Sequence, residues 1–151
     1  MSEITVRRAG PGDSGAVISL LVALAEYERL TPPDAAGRQR LTEEMSSINP
    51  RFEAYLAEFG GRAVGCAVVF ETFGSFRAKP KLYIEDLFVL PEDRGRGAGK
   101  ALFRAMVELA RDRGCGAVEW TALDWNTPAH DFYRRMGGRM LDTIKVFQLE
   151  L

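Results

Sequence analysis

The sequence is poor in the side chains that carry metal, redox and triad chemistry. Of its 151 residues one is a histidine, His130, and two are cysteines, Cys66 and Cys115. With so few soft ligands no Cys/His zinc set can be assembled, and no Ser-His-Asp arrangement is suggested. The cysteines have no metal-ligand spacing and sit among apolar neighbours, so both read as small buried thiols. No apolar run approaches the ~20 residues of a membrane-spanning helix. The opening residues, Met-Ser-Glu-Ile-Thr-Val-Arg-Arg, lack the basic start and apolar stretch of a signal peptide, which makes the cytoplasm the expected location. An excess of charge is missing too. Lys and Arg number 20 against 21 Asp and Glu, so nothing drives the chain toward nucleic acid or an anionic membrane. Internal repeats, low-complexity tracts and linkers are absent, and the length suits a single domain over residues 1–151.

What is present is an ordinary globular balance, 46% hydrophobic and 27% charged residues. Residues 3–9 read as a strand. Asp13 is a candidate N-cap for a helix with Val17, Leu20, Leu21 and Leu24 at helical spacing, running to about Arg29 before Pro32-Pro33. A short helix is expected from Arg38 to Met45. Residues 52–59 and about 62–73 read as strands joined at Gly60-Gly61, and a polar loop covers 74–80. Residues 81–90 form another strand, followed by a helix from about Gly99 to Arg113 with Gly114 at its C′ position. A strand over 116–123, a helix opened by Thr127-Pro128 and ending near Gly137-Gly138, and two short closing strands over 139–142 and 145–150 complete the chain. The class is α+β: a mixed, mostly antiparallel twisted sheet flanked by helices, in the order β-α-α-β-β-β-α-β-α-β-β.

The segment Arg94-Gly95-Arg96-Gly97-Ala98-Gly99-Lys100 is the most specific. Three alternating glycines between a strand and an amphipathic helix let the backbone turn sharply and approach a ligand. Unpaired N–H groups and the helix dipole then favour an anion, and Arg94, Arg96 and Lys100 add positive charge. The segment matches neither the dinucleotide fingerprint nor the P-loop. It fits the R/Q-x-x-G-x-G/A pattern of the GNAT acetyltransferases, in the place where that family has it, and the resemblance extends over nearly the whole chain. It implies acetyl-CoA as cofactor, with the pyrophosphate held by backbone N–H groups from Gly95, Arg96, Gly97, Ala98, Gly99 and Lys100 beside Arg94.

Two further segments carry chemistry. Glu85 and Asp86 interrupt an apolar strand where carboxylates are disfavoured. Alternation sets them on opposite faces unless a bulge intervenes, and at least one is expected to face a cationic amine. Asp124-Trp125-Asn126-Thr127-Pro128-Ala129-His130-Asp131-Phe132-Tyr133 is similar to the GNAT segment in which the asparagine region, here Asn126, Pro128 and Ala129, contacts the cofactor arm. In that family a tyrosine matching Tyr133 protonates the departing thiolate. A thiol of pKa ~8.5 and a phenol of ~10 exchange a proton at little cost. His130 reads as a surface histidine, and Trp120 and Trp125 as core or pocket wall. The reaction implied is direct transfer: Glu85, directly or through water, takes the amine proton, and amides of Leu87, Phe88 and Val89 stabilise the oxyanion.

Leu24-Ala25-Glu26-Tyr27-Glu28, Tyr83-Ile84-Glu85-Asp86-Leu87-Phe88-Val89 and Trp125-Asn126-Thr127-Pro128 resemble the diamine acetyltransferases, the spermidine/spermine and thialysine enzymes. The resemblance implies an amine held by Tyr27, Glu28 and Glu85 at a site shared within a homodimer, and Asp86 is a further candidate for holding it. The sequence lacks the longer C-terminal extension of the animal enzymes, and Thr143-Ile144-Lys145 stands where they have Gly-Trp-Arg. A lysine-like or thialysine-like amine is therefore expected as readily as spermidine. A peptide acetyltransferase, a non-catalytic acyl-CoA sensor and a ligand-free dimerisation domain are the competing readings. An open groove would favour the first; Tyr133, Glu85 and the glycine-arginine turn argue against the others.

Overall fold

The computed structural model describes residues 3–151. They form two compact units, one running to Thr121 and one over Ala122–Leu151. The first contains the sheet: β1 (Ile4–Arg8), α1 (Ser14–Glu28), α2 (Ala35–Met45), β2 (Glu53–Phe59), β3 (Arg62–Gly74), β4 (Lys79–Val89), α3 (Ala98–Asp112) and β5 (Ala117–Trp120). The second contains α4 (Thr127–Arg135).

Each strand in the first unit pairs with its sequence neighbour, giving the order β1-β2-β3-β4-β5. The first three pairings are antiparallel, as short turns permit. The β4–β5 pairing is parallel, because α3 carries the chain back to the starting end of the sheet. Val17 and Leu20 of α1 pack on Ala54, Leu56 and Cys66. On α3, Leu102, Phe103, Met106 and Ala110 are buried, and a Cβ placed on Gly65 would lie 3.3 Å from Leu102 Cδ1. Gly65 and Cys66 are successive on β3 and so face opposite sides. The sheet is thus covered on one face by α1 and on the other by α3.

Most elements lie where the sequence places them, and the differences have local causes. Helix α2 begins at Ala35, ahead of Arg38, because Asp34 caps it, its Oδ1 accepting from the Gly37 N–H at 2.7 Å. Strand β4 begins at Lys79, taking in Pro80, which lacks an N–H but still offers its carbonyl, to the Gly116 N–H at 2.9 Å. Asp13 is the N-cap residue of α1, yet its side chain makes no cap bond to that helix; it pairs with Arg7 and the Gly10 N–H. Cys66 is buried as expected, whereas Cys115 is only half-buried.

The closing strands are a correction. Neither 139–142 nor 145–150 is a strand, so the sheet has five strands rather than seven. Strand geometry needs a hydrogen-bonded neighbour, and an alternating apolar sequence cannot supply one by itself. Among the described residues this segment has none, and Val146, Phe147 and Leu149 are 79%, 93% and 83% exposed.

Candidate active site

Strand β4 holds the first part of the site. Its register against β3 runs from Gly74↔Lys79 to Val69↔Ile84, then resumes at Val68↔Asp86. Glu85 is therefore an extra residue, a β-bulge, and the bulge re-aims the carboxylates that follow one another here. Glu85 is exposed and Asp86 half-buried. The Asp86 carboxyl is pushed up to about 7, first by burial and then by the charges of Glu85 and Glu28. Those charges bring the end of α1 into the same neighbourhood. Burial also raises the Glu28 carboxyl. Behind Asp86, the fully buried Cys66 thiol is pushed above its ordinary range by burial and by the Asp86 charge.

The bulge coincides with the end of the β4–β5 ladder. Parallel pairing covers Lys81↔Ala117 through Ile84↔Trp120 and stops there. From Glu85 to Val89, β4 has no strand on its β5 side among the described residues, while β3 still pairs its other side. Backbone groups of the Leu87–Val89 stretch that point toward β5 are thereby released from the ladder, as an oxyanion site needs.

The glycine turn follows directly. Gly95 and Gly97 have φ of +81° and +91°, a region that side-chain-bearing residues rarely adopt, and a Cβ on either would meet nothing within 4 Å. The turn is thus bent into a left-handed form with open space outside it, which suits the close approach of a pyrophosphate. Gly97 is the N-cap residue of α3, so the first N–H groups of that helix have no intrahelical acceptor. Lys100 is exposed in the first turn.

Two arginines of the turn are engaged within the protein. Arg96 lies 3.5 Å from Asp93 and 4.9 Å over the Phe59 ring. Arg94 Nε donates to the Val89 carbonyl at 3.0 Å, and its guanidinium lies 4.5 Å from the centre of the Tyr27 ring and 5.5 Å from that of Phe88. Asp93 is a site residue that sequence reasoning misses. It is buried, accepts both Arg62 nitrogens at 3.1 and 2.7 Å, and is held below the usual carboxylate range by that arginine. The pair fastens the turn to the start of β3. An acid just ahead of Arg94 and Arg96 is its only sequence signal.

In the first unit the structure therefore brings Tyr27, Glu28, Asp86, Phe88 and Arg94 together, with Glu85 on the adjacent bulge. Leu87 and Val89 lie on the same strand end, opposite Ala67 and Gly65. Trp120 packs edge-on against Phe103 at 5.2 Å, as core. These side chains at the bulge and the turn all belong to this unit.

The second unit carries the remaining candidates. Asn126 caps α4, its Oδ1 accepting from the Ala129 N–H at 3.4 Å, with Pro128 in the first turn. His130 is half-buried and its Nε2 lies 2.9 Å from the Leu123 carbonyl, so it fixes the loop before α4 rather than standing as a plain surface residue. Trp125 is 53% exposed. Tyr133 is half-buried, its ring 5.4 Å from that of Phe132, and its carbonyl accepts from the Gly138 N–H at 2.8 Å. Among the described residues no group of three or more His, Cys, Asp or Glu could hold a metal ion, and no helix is long and apolar enough to cross a membrane.

Comparison with known proteins identifies the family. The profile described as "Acetyltransferase (GNAT) family" matches residues 19–138. A thialysine N-epsilon-acetyltransferase of Sus scrofa is 31% identical over 93% of this chain and 87% of its own. An L-ornithine N5-acetyltransferase of Arabidopsis thaliana is 38% identical over 56% of this chain and 37% of its own. Among solved structures, an aminoglycoside N-acetyltransferase in complex with CoA superposes with a TM-score of 0.79 at 20% identity, covering 100% of this chain and 97% of that one.

Proposed function

The chain belongs to the GNAT acetyltransferase family and is an acetyl-CoA-dependent N-acetyltransferase, and we propose that its acceptor is the primary amine of a small cation: a polyamine, a diamine, or a lysine-like or thialysine-like compound. It acts in this reading as a cytoplasmic homodimer. The observation that carries the acceptor class is the gathering of Glu28, Glu85 and Asp86 at the β4 bulge. They are close enough that the first and second both raise the third. Two half-buried carboxylates with a third, exposed one beside them are mutually unfavourable until a cation joins them. The Sus scrofa and Arabidopsis relatives, named for acetylating thialysine and ornithine, act on the same acceptor class.

Acetyl-CoA supplies an activated acyl thioester. The chain's share begins with the backbone N–H groups of residues 95–100, which bind the pyrophosphate, aided by Arg94, Arg96 and Lys100. Asn126, Pro128 and Ala129 line the cofactor arm. Tyr27, Glu28, Glu85 and Asp86 bind and orient the ammonium group. A free amine is scarce at neutral pH, since a lysine-like amine has a pKa of about 10.4, so Glu85 accepts its proton directly or through water. Amides of Leu87, Phe88 and Val89 stabilise the developing oxyanion. Tyr133 donates its hydroxyl proton to the departing sulfur. Starting from the ammonium, nitrogen loses two protons, one to Glu85 or its water before attack and one as the tetrahedral adduct collapses; sulfur takes one, from Tyr133, so each turnover releases one proton to solvent as Glu85 and Tyr133 return to their resting states.

The test is acetyl-CoA turnover across polyamines, lysine analogues, aminoglycosides and short peptides. Small diamines and lysine-like amines should show the highest kcat/KM. Glu85→Gln should lower kcat/KM with them by a transition-state loss of ~2–4 kcal/mol while leaving coenzyme affinity nearly unchanged. A consistent preference for peptides, or a Glu85→Gln variant equal to the parent on every accepted amine, would overturn the acceptor assignment.

A further inference from the structure

Arg94 is the first residue of the glycine-arginine turn, and its position invites a phosphate. Its side chain is directed elsewhere. It stands next to buried Asp93, yet it forms no ion pair among the described residues, because Arg62 and Arg96 occupy that carboxylate. The guanidinium is instead anchored by Nε on the Val89 carbonyl and lies over two rings, Tyr27 at 4.5 Å and Phe88 at 5.5 Å. The rings themselves are 6.0 Å apart and tilted by 44°. Both cation–ring distances fall within the range where the attraction is significant, and arginine's flat group suits such a stack better than the compact ammonium of lysine.

The contact joins three elements: Tyr27 from the last turn of α1, Phe88 and Val89 from the end of β4 that lies beyond the β5 ladder, and Arg94 from the turn before α3. A single side chain therefore spans from the cofactor turn to Tyr27, which adjoins Glu28, and to Phe88, two residues beyond Asp86 on β4. We propose that Arg94 is a positioning residue for the acceptor: it holds the Tyr27 ring against Phe88 and so fixes the end of α1 that presents Tyr27 and Glu28 to the amine. This rests on the small-amine reading for its substrate but not for its geometry. The consequence is that acceptor recognition and the cofactor turn share a residue, and a change at Arg94 reaches the acceptor through Tyr27.

The test is a double-mutant cycle of Arg94→Lys with Tyr27→Leu, with Tyr27→Phe as the conservative variant. It is run with whichever small amine or peptide the parent protein turns over most efficiently, and thermal unfolding confirms that each variant is folded. Arg94→Lys keeps the charge and loses the flat stack. The acceptor KM should rise about three- to thirty-fold, the fold-change corresponding to one cation–ring contact. Tyr27→Leu should give a similar rise, and adding Arg94→Lys to it should add less than about twofold. Tyr27→Phe keeps the ring face and should leave Arg94→Lys as damaging as in the parent. Lysine keeps the positive charge that aids the pyrophosphate, so coenzyme A affinity, from calorimetric titration, should move less than the acceptor KM. Two results would overturn the inference: independent, multiplying effects of the two substitutions on acceptor KM, or an Arg94→Lys effect confined to coenzyme affinity. The small-amine reading fails separately, by the identity of the best acceptor.

Discussion

Asp86 illustrates how burial and like charges set the behaviour of one side chain. Its carboxyl titrates near 3.8 when free and at about 7 in the folded protein, with burial the larger cause and Glu85 and Glu28 next. Between those values the folded state holds a proton that the unfolded state has released. The stabilisation is therefore complete below about pH 4 and is lost as pH rises toward and through 7. The full loss is on the order of 4 kcal/mol by linkage arithmetic. Asp86→Asn cannot ionise and should remove the slope. In urea unfolding it should resemble the parent at pH 4 and exceed its stability by ~2–4 kcal/mol at pH 8. An equal difference at both pH values would mean that Asp86 is not held protonated. Tyr133 calls for a different experiment. Tyr133→Phe retains the ring and its contact with Phe132, so fold and coenzyme affinity should change little. As proton donor to sulfur, Tyr133 should cost the chemical step a factor on the order of 10²–10⁴ when its hydroxyl is removed. Single-turnover rates at the parental value would assign the protonation to water or to another residue.

At the scale of elements, the glycine turn and the bulge contrast in how far they could be read from the sequence. The turn was legible because its conformation is imposed locally: Gly95 and Gly97 occupy φ values that other residues avoid, and α3 begins at the next position. Gly97→Asp should abolish coenzyme binding for two independent reasons, a strained backbone and a negative charge at the anion site. With nothing within 4 Å of its Cβ position, no clash should unfold the chain. Calorimetric titration should find no coenzyme binding in a variant with near-parental circular dichroism, and an unchanged affinity would remove the pyrophosphate from this turn. The bulge at Glu85 was legible only as a possibility. Two successive carboxylates in an apolar strand asked for one, but a bulge is a relation between strands. Its place is set by Val68 pairing with Asp86 and Val69 with Ile84, and neither strand alone encodes that. The Arg94–Tyr27 contact was hidden for the same reason, since its partners are 67 residues apart in sequence (94 − 27).

For the molecule as a whole, the order of helices and strands through α4 was readable because amphipathic spacing and turn residues are local signals. The fate of the last residues was not. Ile144 and Val146 alternate along one side of an extended chain, and Phe147, Leu149 and Leu151 along the other. A strand apolar on both sides belongs inside a structure with both of its faces covered. Here those residues are 64%, 79%, 93%, 83% and 116% exposed. Such a segment asks for cover, and the proposed homodimer supplies a second copy to provide it. The magnitudes bound the claim. Burying such side chains yields about 1.5–3 kcal/mol each, while association costs roughly 4–15 kcal/mol. The tail alone therefore spans the range from marginal to stable, and removing two of its larger members should be decisive. Light scattering should give the parent about twice the 16.8 kDa of the chain at micromolar concentration. Phe147→Ser combined with Leu149→Ser should move the mass toward that of the single chain, with the unfolding of the five-stranded unit little affected. If the parent sediments and scatters as a monomer across that range, the dimer is wrong, and the exposed tail marks a site for a different partner.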